Sequence, residues 1–220
     1  MRNGWWEADM TRPHRSFARD EAGATMVEFG LVAGVLFTLA FALFEFSHAF
    51  FQYNAASKAL QIGARRASVS DPVAADLRTL TGLSTAEAGD PMPYFERRCS
   101  GATRSCSQGT FDEAAFNTIL YGGPTATCLA GTSATTPMCA AFPRLQPGNV
   151  EIDYVHSGLG FAGRPGPAGR AGGAVPTITV RLTNLAFDFV VLNRLLGLPS
   201  LAMSGLSATA TGEDLASVTN

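Results

Sequence analysis

The amino-acid sequence predicts an α+β protein: a long N-terminal helix, membrane-spanning in its first half, packed on a small antiparallel sheet domain. Three observations carry that prediction. Residues 29–44 form a run of sixteen positions without a charge. Beyond it, apolar residues recur at helical spacing as far as Ala67. After Asn149 the chain changes to stretches in which apolar and polar residues alternate, the pattern of half-buried strands.

The apolar run sets the class of the chain. Counted past Glu45 to Phe51 it covers about 23 residues, enough to cross a hydrocarbon core of about 30 Å at 1.5 Å per residue. A secretory signal peptide would have a shorter apolar core followed by a small-residue cleavage site, and the run instead continues into a helical pattern. A buried core helix is the other reading, and so many large apolar residues on all faces argue against it. Residues 1–23, polar and carrying Pro13, read as a leader, and residues 24–70 as one helix.

That helix is expected to be about 45 residues long, near 65 Å at standard rise. In its second half Tyr53, Ala56, Leu60, Ala64 and Ala67 fall on one face, with Asn54, Lys58, Gln61 and Arg65 on others. Asp71-Pro72 ends it, because the residue before a proline is pushed out of the helical region. The remaining residues, 71–220, are expected to form a single periplasmic α+β domain, since about 150 residues can bury one core but not two.

Within that domain residues 76–80 suggest a short helix. Residues 111–120 suggest another, with Asp112 and Glu113 suited to its N-terminus. The rest of 73–149 is rich in Gly, Pro, Ser and Thr and reads as an irregular insert stapled by cysteines. Strands are expected over 150–154, 175–183 and 201–211, the last with a bulge near Gly205 where its phase shifts. The apolar stretch 185–198, closed by Gly197 and Pro199, is expected to be a short helix or turn over the sheet.

All four cysteines, Cys99, Cys106, Cys128 and Cys139, lie beyond the apolar run in two short-spaced pairs. Lysine and arginine near the two ends of the run are almost balanced, so charge alone does not orient it. Paired cysteines suit an oxidising compartment, which places the N-terminus in the cytoplasm and the bulk of the chain in the periplasm. Three disulfide connectivities can be drawn. The local one, Cys99 with Cys106 and Cys128 with Cys139, is the choice here, because each bridge would pin a loop poor in apolar surface. Zinc ligands stand two to four residues apart, and separations of seven and eleven do not fit, so no metal site is expected.

Other motifs carry no chemistry. Gly158, Gly160 and Gly163 match the dinucleotide-binding spacing, but Arg164-Pro165-Gly166-Pro167 follows where a helix N-terminus would have to be, so no cofactor is expected. Glycine at 163, 166, 169 and 172 repeats every third position, too briefly for a triple helix. Glu45 and His48 lie within one turn and are expected to pair or to reach the membrane interface. With a net charge of −2 from 16 basic and 18 acidic residues there is no nucleic-acid footprint. No constellation of catalytic residues is visible, and an enzyme is not expected. Gly30 and Gly34 form a Gly-x-x-x-Gly pair, a spacing that lets membrane helices pack closely.

The segment Ala22-Gly23-Ala24-Thr25-Met26-Val27-Glu28-Phe29 places a glycine five residues ahead of a glutamate at the mouth of the apolar helix. An ionisable residue there is costly and marks a functional site whose partner must be named. With Ala59-Leu60-Gln61-Ile62-Gly63-Ala64-Arg65-Arg66-Ala67, this segment resembles the TadE/TadG-like pilus assembly proteins, minor pseudopilins of the Tad (Flp) pilus. The resemblance implies a pseudopilin-like fold and cleavage between Gly23 and Ala24 by a prepilin peptidase of the bacterial inner membrane. It implies that Glu28 then neutralises the new amino group of a neighbouring subunit. Partners would be that peptidase, other pilin-like subunits of the Tad system and membrane lipid, with the filament as a further location. A pseudopilin of a type II-like secretion system, or a membrane-tethered periplasmic binding domain, are the alternative readings.

Overall fold

The computed structural model describes residues 21–129, 131, 136–203, 205–212 and 215–216. Of the expected leader, residues 1–20 lie outside these. The chain divides after Phe44 into two compact units. The first is described from residue 21 onward and consists of helix alone, and the second, from Glu45, holds every other element.

Helix α1, Glu21–Ser68, is 48 residues long, about 72 Å at 1.5 Å per residue. It is already helical at the first described residue, so the Gly23–Ala24 boundary expected from the sequence lies inside a helical turn. At its other end Arg65 and Arg66 complement the exposed carbonyls of the last turn. The helix stops at Ser68, three residues short of Asp71.

In the second unit α1 buries Ala56, Ala59, Leu60, Gly63, Ala64 and Ala67. The face is almost wholly small residues, so the neighbouring layer comes close. A Cβ at Gly63 would stand 2.4 Å from Met138 Sδ. Tyr53, expected on this face, is 46% exposed. Cover along this side of the helix is interrupted at Tyr53, with Ala49 buried before it and Ala56 after it.

A 3-10 turn at Ala75–Arg78 replaces the helix expected over 76–80. Helix α2, Glu113–Tyr121, starts where the Asp112 carboxylate accepts the Ala115 amide at 2.9 Å. It ends at Gly122, whose φ of +90° needs glycine and whose amide donates to the Thr118 carbonyl. Helix α3, Met138–Ala141, follows the cysteine-bearing loop.

The sheet has five antiparallel strands: β1 (Glu96–Ser100), β2 (Ser105–Cys106), β3 (Val150–His156), β4 (Pro176–Leu182) and β7 (Ser207–Thr211), in the order β2-β1-β3-β4-β7. The expected irregular insert thus supplies two strands. Strand β1 reads Glu-Arg-Arg-Cys-Ser and shows no apolar alternation because one of its two inward positions is Arg97. That guanidinium is met by Asp76 at 2.8 Å, and Cys99 fills the other inward position.

In β3 and β4 the pattern is the expected one. Val150, Ile152 and Tyr154 pair in register with Leu182, Val180 and Ile178, and all six are buried. On the opposite face Asp153, also buried, lies between Arg98 at 3.3 Å and Arg181. The Tyr154 hydroxyl accepts the Val73 amide at 3.0 Å, and its burial pushes the phenol pKa up.

Residues 201–211 are not one bulged strand. Gly205, with φ of +81°, breaks the stretch in two. Strand β6 (Leu201–Ala202) pairs with β5 (Ala186–Phe187), while β7 turns back to pair with β4. Between β5 and β6 lies helix α4, Val191–Leu196, so the stretch 185–198 contains both a strand and a helix.

Candidate assembly surface of the long helix

Residues 23–44 of α1 have almost no cover within the chain. Phe29 is 75% exposed and Leu43 73%, and Met26, Val27, Leu31, Val32 and Leu36 are exposed as well. A helix that displays large apolar side chains on every face is matched to lipid rather than to water. This one is long and apolar enough to cross a membrane, which fits a single-pass membrane anchor.

The residues singled out in the sequence lie on this helix. Gly23, Ala24 and Glu28 are exposed, and Glu28 has no polar partner among the described residues. A Cβ at Gly23, Gly30 or Gly34 would meet nothing within 4 Å. With Thr38, whose hydroxyl donates to the Gly34 carbonyl at 2.8 Å, the last two glycines line a shallow notch. At about 100° per residue, Gly30 and Gly34 lie roughly 200–240° around the helix from Glu28. The carboxylate and the notch therefore lie on different faces of the helix.

The four cysteines lie in the second unit. Cys99 and Cys106 are directly opposed on β1 and β2 and joined by a disulfide. Cys128 and Cys139 tie the loop after α2 to α3, beside the contact between Met138 and Gly63. Among the described residues no cluster of three or more His, Cys, Asp or Glu side chains is placed to hold a metal ion.

The pairing expected of Glu45 and His48 is not found. His48 stands 2.9 Å from Gln52 Nε2 and packs edge-on against the Phe187 ring. The Glu45 carboxylate is buried and accepts three consecutive backbone amides, Val190 and Val191 at 2.7 Å each and Leu192 at 3.1 Å. It thus caps α4, whose own N-cap residue, Val190, has no side chain able to do so. The partners are about 145 positions apart, and the only sequence signal was a short apolar helix lacking a Ser, Thr, Asp or Asn at its start.

No curated protein and no solved structure matches the chain. Over residues 23–65, which include Gly23, Ala24, Glu28, the Gly30–Gly34 notch, Glu45 and the Gly63 contact, the chain matches the family model described as TadE-like protein.

Proposed function

We propose that this protein is a membrane-anchored minor pseudopilin that takes part in assembling a Tad/Flp-type pilus, with no catalytic activity of its own. The observation that carries the proposal is the coincidence of the TadE-like match with a helix whose Gly23–Glu28 segment and apolar run are uncovered. In this reading the N-terminus is cytoplasmic, α1 crosses the bacterial inner membrane once, and the sheet domain with its two disulfides is periplasmic. A prepilin peptidase cuts after Gly23, where the absence of a side chain lets the backbone extend into a cramped site.

The cut leaves an α-amino group on Ala24. An isolated carboxylate at the mouth of the span is costly, and so is an isolated ammonium. Pairing Glu28 with the amino group of a staggered neighbour offsets both. The notch at Gly30 and Gly34 lets another helix approach on a different side. The partners are other pilin-like subunits of the Tad system.

N-terminal sequencing of the protein from its native membrane tests the processing step. The expected result is a chain beginning at Ala24, and in Gly23→Leu a chain that retains its leader. A wild-type chain that keeps residues 1–23 in the presence of active peptidase would remove the pseudopilin reading and leave a plain anchor.

A further inference from the structure

The segment 185–203 forms a lobe of β5, α4 and β6 outside the five-stranded sheet. The chain enters the lobe from β4 and leaves it into β7, and left-handed backbone makes a turn in each connection, at Asn184 with φ of +55° and at Gly205. Between the sheet and these two connections lies a cleft of about 460 Å3, a volume within the range of small-ligand sites. Hydrogen bonds fix its frame. The Leu182 amide donates to the Leu206 carbonyl at 3.0 Å, and the Met203 amide to the Leu185 carbonyl at 2.8 Å. Asn149 Nδ2 donates to the Thr183 and Asn184 carbonyls at 3.1 Å each. Leu185, Met203 and Leu206 give the cleft aliphatic walls, and Glu151, Arg181 and Asn184 give it polar groups.

The charges on the outer face of the sheet decide what this cleft takes. Strands β1, β3 and β4 place Glu96, Arg98, Glu151, Asp153 and Arg181 on that face. Four of them are joined in one run of ion pairs: Glu96 with Arg98 at 3.6 Å, Arg98 with Asp153 at 3.3 Å, and Asp153 with Arg181. Asp153 is buried, so it holds both guanidiniums against the cost of an unpaired charge. Glu151 stands opposite Arg181 in the register, yet it has no ion pair or hydrogen bond among the described residues. The four joined charges cancel, and the unbalanced charge of the face is the Glu151 carboxylate in the cleft. A cation is the complement. No aromatic ring lines the cleft, and aromatic faces are what quaternary ammonium and guanidinium groups stack on. We propose that the cleft binds a primary ammonium on an aliphatic stem. The ammonium donates to the Glu151 carboxylate and the Asn184 side-chain oxygen, and the stem lies along Leu185, Met203 and Leu206. A free alkyl diamine and a lysine side chain of a partner protein offer this same chemistry. The site is independent of the assembly role given to α1, since α1 contributes no residue to it.

The test follows the backbone amide NMR signals of the full-length protein, disulfides intact, in detergent micelles. The probes are cadaverine, the peptide acetyl-Gly-Lys-Gly-amide, and the same peptide with norleucine in place of lysine. The expected result is a saturable shift of Asn184, Leu185, Leu206 and Ser207 with the two amines and none with the norleucine peptide. Glu151→Gln breaks no bond of the folded chain and should weaken amine binding by about tenfold, the loss of one charge-assisted hydrogen bond, with signals outside the cleft unchanged. Tighter binding of cadaverine would identify a free amine as the ligand, and tighter binding of the lysine peptide a partner's side chain. Equal affinity in Glu151→Gln would overturn the proposal, as would the absence of any shift. Shifts of the same size at the exposed Glu87 and Asp90 would overturn it too, since they would mean unspecific attraction to acidic residues.

Discussion

The close approach of α1 to α3 makes an unusual demand on one position, Gly63. In an open helix interior, replacing glycine by alanine gains about 1 kcal/mol of helix propensity. Here the added Cβ would stand 2.4 Å from Met138 Sδ and 2.9 Å from its Cε. Met138 is fully buried, and its neighbour Cys139 is held by the bridge to Cys128, so the thioether has little room to swing away. Overpacking of this kind costs about 1–3 kcal/mol. Taking about 2 kcal/mol for the clash, Gly63→Ala is destabilising by about 1 kcal/mol net, the sum of that cost and the propensity gain. In a Met138→Ala background the obstruction is gone and the same substitution should stabilise by about 1 kcal/mol, a coupling of about 2 kcal/mol between the two sites. Thermal unfolding of the purified full-length protein, followed by near-ultraviolet circular dichroism, measures this. For a unit of this size each kcal/mol corresponds to about 2–4 °C in Tm. If Gly63→Ala raises Tm equally in both backgrounds, the contact between the long helix and α3 is not as described.

Two further predictions concern buried polar groups. Glu45→Gln removes the charge and one of the two accepting oxygens that cap α4, so amides 190–192 should exchange hydrogen faster while those of Ile152 and Ile178 do not change. Unaltered exchange at 190–192 would mean the cap contributes nothing to docking the lobe. Tyr154 has its pKa raised by burial, so above about pH 10 the unfolded chain loses this proton while the folded chain keeps it. Stability from this group is therefore full below about pH 10 and falls as pH rises beyond it. Tyr154→Phe should flatten that alkaline decline while lowering stability at neutral pH by about 1–3 kcal/mol, because the Val73 amide loses its acceptor. An alkaline decline of the same slope in both proteins would contradict this assignment.

Where a local pattern decides the structure, the sequence was readable. The apolar run, the apolar residues at 56, 60, 64 and 67, and the alternation in β3 and β4 each announce an element within a few residues. The candidate assembly residues were legible for the same reason, since Gly23, Glu28, Gly30 and Gly34 lie within twelve positions of one another. Elements specified by distant partners were not legible. Strand β1 is hidden because Arg97 takes an inward position and depends on Asp76, twenty-one positions earlier. The role of Glu45 is hidden because its three donors come from the far end of the chain. The division of 201–211 into two strands depends on Gly205, whose left-handed φ allows the chain to leave one sheet and join another.

Crosslinking in the native membrane decides whether Glu28 acts in assembly rather than in anchoring. An anchor would be relieved to lose a carboxylate from the mouth of its span. An assembling subunit would not, because its neighbour's amino group would be left without a partner. Glu28→Ala should therefore insert in the membrane and keep its disulfide-bonded domain folded, yet fail to crosslink to pilin-like subunits and reduce piliation. Crosslinking and piliation at wild-type levels in Glu28→Ala would contradict the account and leave the long helix as an anchor alone.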